Sequence, residues 1–224
     1  TSSGISRNMG NKHRLRSQVP GLRFRALPAL PPLSSQHRAR QSRSNAAAAT
    51  EKAPNNISSF HGRAPVIDDA AFIDHSARVI GDVLVAQGVS IWPMAVVRAD
   101  EASTVIAEGS AILDLCLLES PAGSPVTIGS GSVISHGAIV HGARIASGVL
   151  VGAGAIVLDD AVVGEGSIVA AGALVTPRTV IPPNSLVLGS PARIARETTS
   201  EERDGITEQA RGLFRKSRAY LAGM

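Results

Sequence analysis

Only one cysteine occurs in 224 residues. Cys116 on its own can neither close an intrachain disulfide nor build a thiolate metal cage. Aromatics are nearly as scarce, at 3% of the chain, which fits a narrow aliphatic interior with little room for rings. Long apolar runs are missing as well. The stretch from Val133 to Val175 is broken every few residues by Gly, Arg, Asp or Glu, which makes it a poor membrane span. The glycines follow a regular rhythm, and none forms a phosphate-cradling loop.

Acidic residues are absent from the first 50 positions, which carry eight Arg and one Lys; the first acid is Glu51. Removing those nine from the 22 Lys+Arg of the chain leaves 13 against 18 Asp+Glu, a balance of −5. The formal net charge of +4 therefore belongs to the leader, and it does not indicate a nucleic-acid surface. An Arg-rich, Ser-rich, acid-free start has the composition of an organelle transit peptide. The expected organisation is a leader over 1–50, a linker over 51–64, a coil over 65–196 and a helix over 197–224.

What is abundant is a six-residue rhythm of aliphatics. It runs Ile73, Val79, Val85, Ile91, Val97, then Ile106, Ile112, Leu118, then Ile128, Ile134, Val140, then Ile145 and every sixth residue to Val187. Gly recurs at the fourth place of the unit, as at Gly88, Gly109, Gly131 and Gly154, where a tight corner needs positive φ. Six residues suit one short strand and a corner. Three such sides close a triangular coil that stacks on the next at about 4.8 Å. The expected fold is all-β, a parallel β-helix of hexapeptide repeats. Beyond Arg196 the pattern turns helical: Thr198 and Glu201 read as a capping box. Ile206, Ala210, Leu213, Phe214 and Leu221 then fall on one stripe, so a C-terminal α-helix should lie along the prism. Trp92 reads as covering a subunit or loop surface.

Counting sides aligns the polar positions. Arg98, Glu119 and His141 are each second in their hexads and three sides apart, so they should stack in one outward column. Asp114 and His136 are both third and form another column on a different side. Residues stacked about 4.8 Å apart can share one metal ion, since zinc bonds to N and O are each about 2 Å. His136 would join Glu119 and His141 only from a second subunit, giving three inter-subunit sites in a three-fold assembly.

The stretches IWPMAVVRADEASTVIAEGSAILD, VTIGSGSVISHGAIVHGARI and VLGSPARIAR resemble the gamma-class carbonic anhydrase family over roughly residues 65 to 224. By that motif Arg98 and Asp100 match an R-G-D segment, Asp114 matches a conserved-motif Asp, and His136 and His141 match the H-x4-H zinc pair. The resemblance implies a left-handed coil, a trimer with zinc between protomers, and CO2/bicarbonate as substrate. It also implies that Arg98 and Asp100 hold the subunit interface and that Asp114 orients the hydrogen-bond network. Glu119 stands where the family has its first zinc His, and Leu113 where it has Gln. A carboxylate ligand weakens the metal's pull on its water, which argues against efficient hydration. The leading expectation is therefore a structural, gamma-carbonic-anhydrase-like subunit of a homo- or heterotrimer, in mitochondria (or plastids), attached to the membrane arm of respiratory complex I. The alternatives are an active zinc enzyme hydrating CO2, and a hexapeptide-repeat acyltransferase, whose G-x-P-A-[KR] ending the GSPAR segment shares.

Overall fold

Short aliphatic strands separated by corners wind into three walls over residues 56–223, the part that the computed structural model describes. The leader read over 1–50 lies outside the described residues. The first wall stacks Phe72–Ile73, Ser90–Ile91, Ala111–Ile112, Val133–Ile134, Leu150–Val151, Ile168–Val169 and Ser185–Leu188, all in parallel register. The second stacks the starts of Arg78–Val85 and Val96–Ile106 with Leu117–Glu119, Ile139–His141, Ile156–Val157 and Leu174–Val175. The third takes the ends of those two long strands together with Val66–Ile67, Val126–Ile128, Arg144–Ile145, Val162–Val163 and Val180–Ile181. The result is a left-handed parallel β-helix of about 7 turns. Within the stretch 51–64, Ile57–Ser58 already pairs with Val79 and Ile80.

The six-residue rhythm points inward. Of its nineteen aliphatics, all but the half-buried Ile73 are buried in one continuous core. Each such side chain contributes on the order of 1.5–3 kcal/mol on leaving water. Buried hydroxyls run beside them: Ser110 Oγ donates to the Gly129 carbonyl at 2.8 Å, Ser132 Oγ to that of Ala146 at 2.8 Å, and Ser167 Oγ to that of Pro182 at 3.0 Å. The corner glycines of the rhythm all have positive φ. At the same kind of corner, Met94 and Leu115 hold φ of 59° and 63°, a conformation costing an L-residue about 1–2 kcal/mol, with side chains turned to solvent.

The coil ends in an antiparallel strand, Arg193–Glu197, laid on Ser185–Leu188. The helix Ser200–Gly223 then runs back along the outer face of the first wall. It buries Ile206, Ala210 and Ser217 and half-buries Leu213, whereas Phe214 and Leu221 sit on its flank, about 40% exposed (40% and 38%). The stripe is thus narrower than the sequence suggested, because a flat wall accepts less of a helix's circumference than a cleft does. Trp92 corrects another expectation. It is buried beneath the helix with Phe72, Leu113 and Ala210, its ring 5.5 Å from that of Tyr220, and its Nε1 donates to Ser90 Oγ. No helix among the described residues is long and apolar enough to cross a membrane.

Candidate functional site

The second wall carries the first polar column. Arg98 pairs in register with Glu119, and Glu119 with His141, on three successive turns. Outward side chains on adjacent parallel strands meet at the strand spacing, so positions over forty residues apart in the chain become neighbours. The Arg98 guanidinium donates to Glu119 and, at 3.1 Å, to Asp100. Those two carboxylates hold Arg98 in its charged form, its pKa raised above the usual guanidinium value, with the Glu119 hydrogen bond as the main cause. His141 Nε2 faces Glu119 Oε1 at 3.9 Å, beyond hydrogen-bond reach.

His141 has a closer partner that the column did not include. Its Nδ1 lies 2.7 Å from Asp159 Oδ1, on the next turn. Asp159 sits one rung beyond Gly142, third in its hexad, so counting equal places one turn further leads to Leu158 and does not reach it. A carboxylate on Nδ1 favours the tautomer with the proton on that nitrogen and leaves Nε2 as a free base. The five-residue step from Val140 to Ile145 makes the corner tight here, and the longer corner 120–125 comes down upon it. Ser124 Oγ donates to Asp160 Oδ1 at 3.0 Å, and the Ala122 amide donates to Glu101 Oε2 at 2.9 Å. Around His141 the wall therefore presents Asp100, Glu119, Asp159 and Asp160, with Arg98 paired to the first two. The local field is negative and favours a cationic group.

Asp114 and His136 stack as the second column, at the corner between the first and second walls. Asp114 Oδ2 lies 3.0 Å from His136 Nδ1, and the Gly137 amide donates to the Asp114 carbonyl. His136 is well exposed, its side chain 61% accessible. The chain thus brings Arg98, Asp100, Glu119 and His141 together and leaves Asp114 and His136 at a separate corner. Among the described residues, no three His, Cys, Asp or Glu side chains converge closely enough to hold one ion, and Arg98 already occupies Glu119. Within one chain these residues do not fit a zinc site. Leu113 faces away from both columns into the apolar layer under the helix, where a Gln would be buried among apolar neighbours. A shallow cleft lined by Glu165, Gly166, Pro183, Asn184, Arg203 and Thr207 lies on another corner and takes no part in this cluster.

A family model for bacterial transferase hexapeptides (six repeats) matches residues 142–177. The carnitine operon protein CaiE of Escherichia coli is 38% identical over 70 residues, 31% of this chain; the alignment spans only 36% of that curated relative's length. Two solved structures agree over far more. A proposed acetyltransferase of Bacillus cereus is 33% identical with a TM-score of 0.74, covering 75% of this chain and 98% of that one. A hexapeptide transferase family protein of Anaplasma phagocytophilum is 34% identical with a TM-score of 0.71, covering 73% and 97%. With a third of residues shared over almost the whole of both solved proteins, the chain belongs to the hexapeptide-repeat transferase family.

Proposed function

We propose that the chain transfers an acyl group from a thioester donor to an amine, with His141 as general base oriented by Asp159. The observation that carries this reading is the 2.7 Å His141–Asp159 contact, a base held by a third group as acyl transfer requires. The acceptor first gives up one proton to water to become a free amine; His141 Nε2 takes a second proton as the amine nitrogen bonds to the thioester carbon. The C–S bond then breaks and the thiolate leaves, taking the proton held on His141 and restoring the base. The surrounding carboxylates favour an acceptor that arrives as an ammonium ion. The acetyltransferase description of the Bacillus cereus relative supports this over the expectation drawn from the sequence. The test is calorimetry with acetyl-CoA, followed by thiol release with a panel of amines. His141→Ala should lower the rate by about 10²–10⁴-fold, the usual worth of a positioned base. Absence of both donor binding and thiol release would sink the reading.

A second reading keeps the gamma-carbonic-anhydrase likeness, as an active CO2-hydrating enzyme or as a structural subunit of mitochondrial complex I. One observation favours it. His141 has its Nδ1 on a carboxylate and turns Nε2 toward Glu119, the outer-shell pattern common behind metal-bound imidazoles. It needs a second copy or a sister chain to supply His136 across a trimer interface, since one chain does not complete the site. Zinc content at known oligomeric state separates the two enzymes, and blue-native electrophoresis of organelle membranes tests the structural form.

A further inference from the structure

Gly142 follows His141 at the tightest corner of the coil, with φ of 57°. A Cβ built there would lie 2.6 Å from Asp159 Oδ1, 2.9 Å from Ser124 Cβ and 3.2 Å from Pro121 Cγ. The first of these atoms is the same oxygen that meets His141 Nδ1. Several other corner glycines with equal backbone strain are different: at Gly154 and Gly172, with φ of 65° and 68°, nothing lies within 4 Å of the added carbon. The want of a side chain at 142 thus does more than permit a left-handed corner. It leaves the volume that an acid from the turn above and a loop from the turn below both enter.

We propose that Gly142 is a positioning residue for the His141–Asp159 pair, its missing side chain being the space through which the carboxylate reaches the imidazole. Of the three atoms a methyl would strike, Ser124 Cβ and Pro121 Cγ are close to backbone and tied to their corner. The Asp159 oxygen is the end of a rotatable side chain. Relief of the shortest clash therefore falls on the carboxylate, which swings off His141 and leaves the ring without its Nδ1 partner, while the 2.9 Å approach to Ser124 Cβ is relieved by a shift of that corner. The catalytic meaning of this rests on His141 acting as the base; the structural meaning does not.

The experiment reads the imidazole directly, on the full chain. Two-bond ¹H–¹⁵N correlations at one fixed pH, where the ring is neutral, report which nitrogen of His141 carries the proton. The native chain should show the Nδ1–H pattern, Asp159→Ala should lose it, and Gly142→Ala should lose it likewise. Gly172→Ala, with the same backbone strain in open space, should keep the native pattern. Retention of that pattern in Gly142→Ala, or its loss in Gly172→Ala as well, overturns the proposal. Thermal unfolding supplies a second reading. Gly142→Ala should lower Tm further than Gly172→Ala, and the excess should shrink when Asp159→Ala is added, the remainder belonging to Ser124. Where Gly142→Ala alone does not fold, the double variant should restore folding. An excess undiminished without Asp159, or a double variant that stays unfolded, places the clash on Ser124 or Pro121 and overturns the assignment. A chain with no acyl transfer would end the reading of His141 as base while leaving the tautomer result standing, so the two failures are distinct.

Discussion

Cys116 fills the corner below Ala138, 1% exposed, with its thiol donating to the carbonyl of Ser135 at 3.0 Å. Burial pushes its pKa from 9.0 up to about 11. The sign of the consequence follows from which state binds the proton more tightly. Between pH 9 and about 11 the unfolded thiol has ionised and the folded one has not, so stability falls as pH rises through that window. Cys116→Ala should flatten the decline measured by denaturant midpoints, and native Cys116 should stay silent to a thiol reagent at neutral pH until the chain is unfolded. A native chain that reacts as fast as the unfolded one would contradict this burial. At this scale the sequence was partly legible. Arg98, Glu119 and His141 follow from counting sides, because parallel stacking converts an equal place in successive hexads into adjacency. Asp159 escaped the count because the five-residue step at Gly142 slides the next turn and lets a third-place residue serve a second-place one. The environment of Leu113 was equally out of reach, since nothing in the repeat says which wall the helix covers.

The C-terminal helix shows the limits at the scale of an element. Its existence and its inner face around Ile206 and Ala210 follow from spacing. Its start lies one residue later than the Thr198/Glu201 box the sequence suggests. Thr199 Oγ1 accepts from the Glu202 amide at 3.2 Å, while Glu202 Oε2 accepts from the Thr199 amide at 2.9 Å. Thr198 is instead buried, its hydroxyl donating to the Gly166 carbonyl at 2.9 Å, a tertiary contact that removes it from capping. Thr199→Ala should therefore cost about 1 kcal/mol, the usual worth of an N-cap hydroxyl, and Thr198→Ala should act through the coil and leave the helix end intact. Arg196 grips Glu202 from the preceding strand with two bonds of 2.8 and 2.7 Å. That fork is the main reason the Glu202 carboxyl is lowered from 4.5 to about 2. A depressed carboxyl stabilises above its unfolded pKa and gives up that contribution as pH falls through its folded one. Acid titration from 4.5 to about 2 should loosen the strand–helix junction in the native chain. Glu202→Gln should lack that step in helical circular dichroism; a step of equal size in both chains would assign it elsewhere.

Across the whole molecule two lengths have to agree. A helix of 24 residues rising about 1.5 Å each spans about 36 Å, and about 7 turns stacked about 4.8 Å apart stand about 34 Å high. The helix therefore starts against the last turns and ends with Tyr220 over Trp92 and Phe72 on the first two, Lys216 lying 5.2 Å from the Trp92 ring. The coil was legible because one short rule, repeated, specifies all three walls, whereas this match of lengths belongs to no single segment. It makes deletions informative. Val162 and Val163 pair with Val180 and Ile181, so removing residues 161–178 excises one full turn and keeps every later strand on its own wall. That chain should fold, but its helix overruns the shortened coil by about 4.8 Å, nearly one helical turn. Tyr220 then leaves Trp92, and the indole emission should shift to the red. Removing only 161–166 moves every later strand one wall round, turning the helix away from the apolar face that Phe72, Trp92 and Leu113 provide. The shorter deletion should therefore be the more damaging of the two, seen as loss of cooperative unfolding. If the six-residue deletion were tolerated and the eighteen-residue one were not, wall identity would not be what holds this chain together.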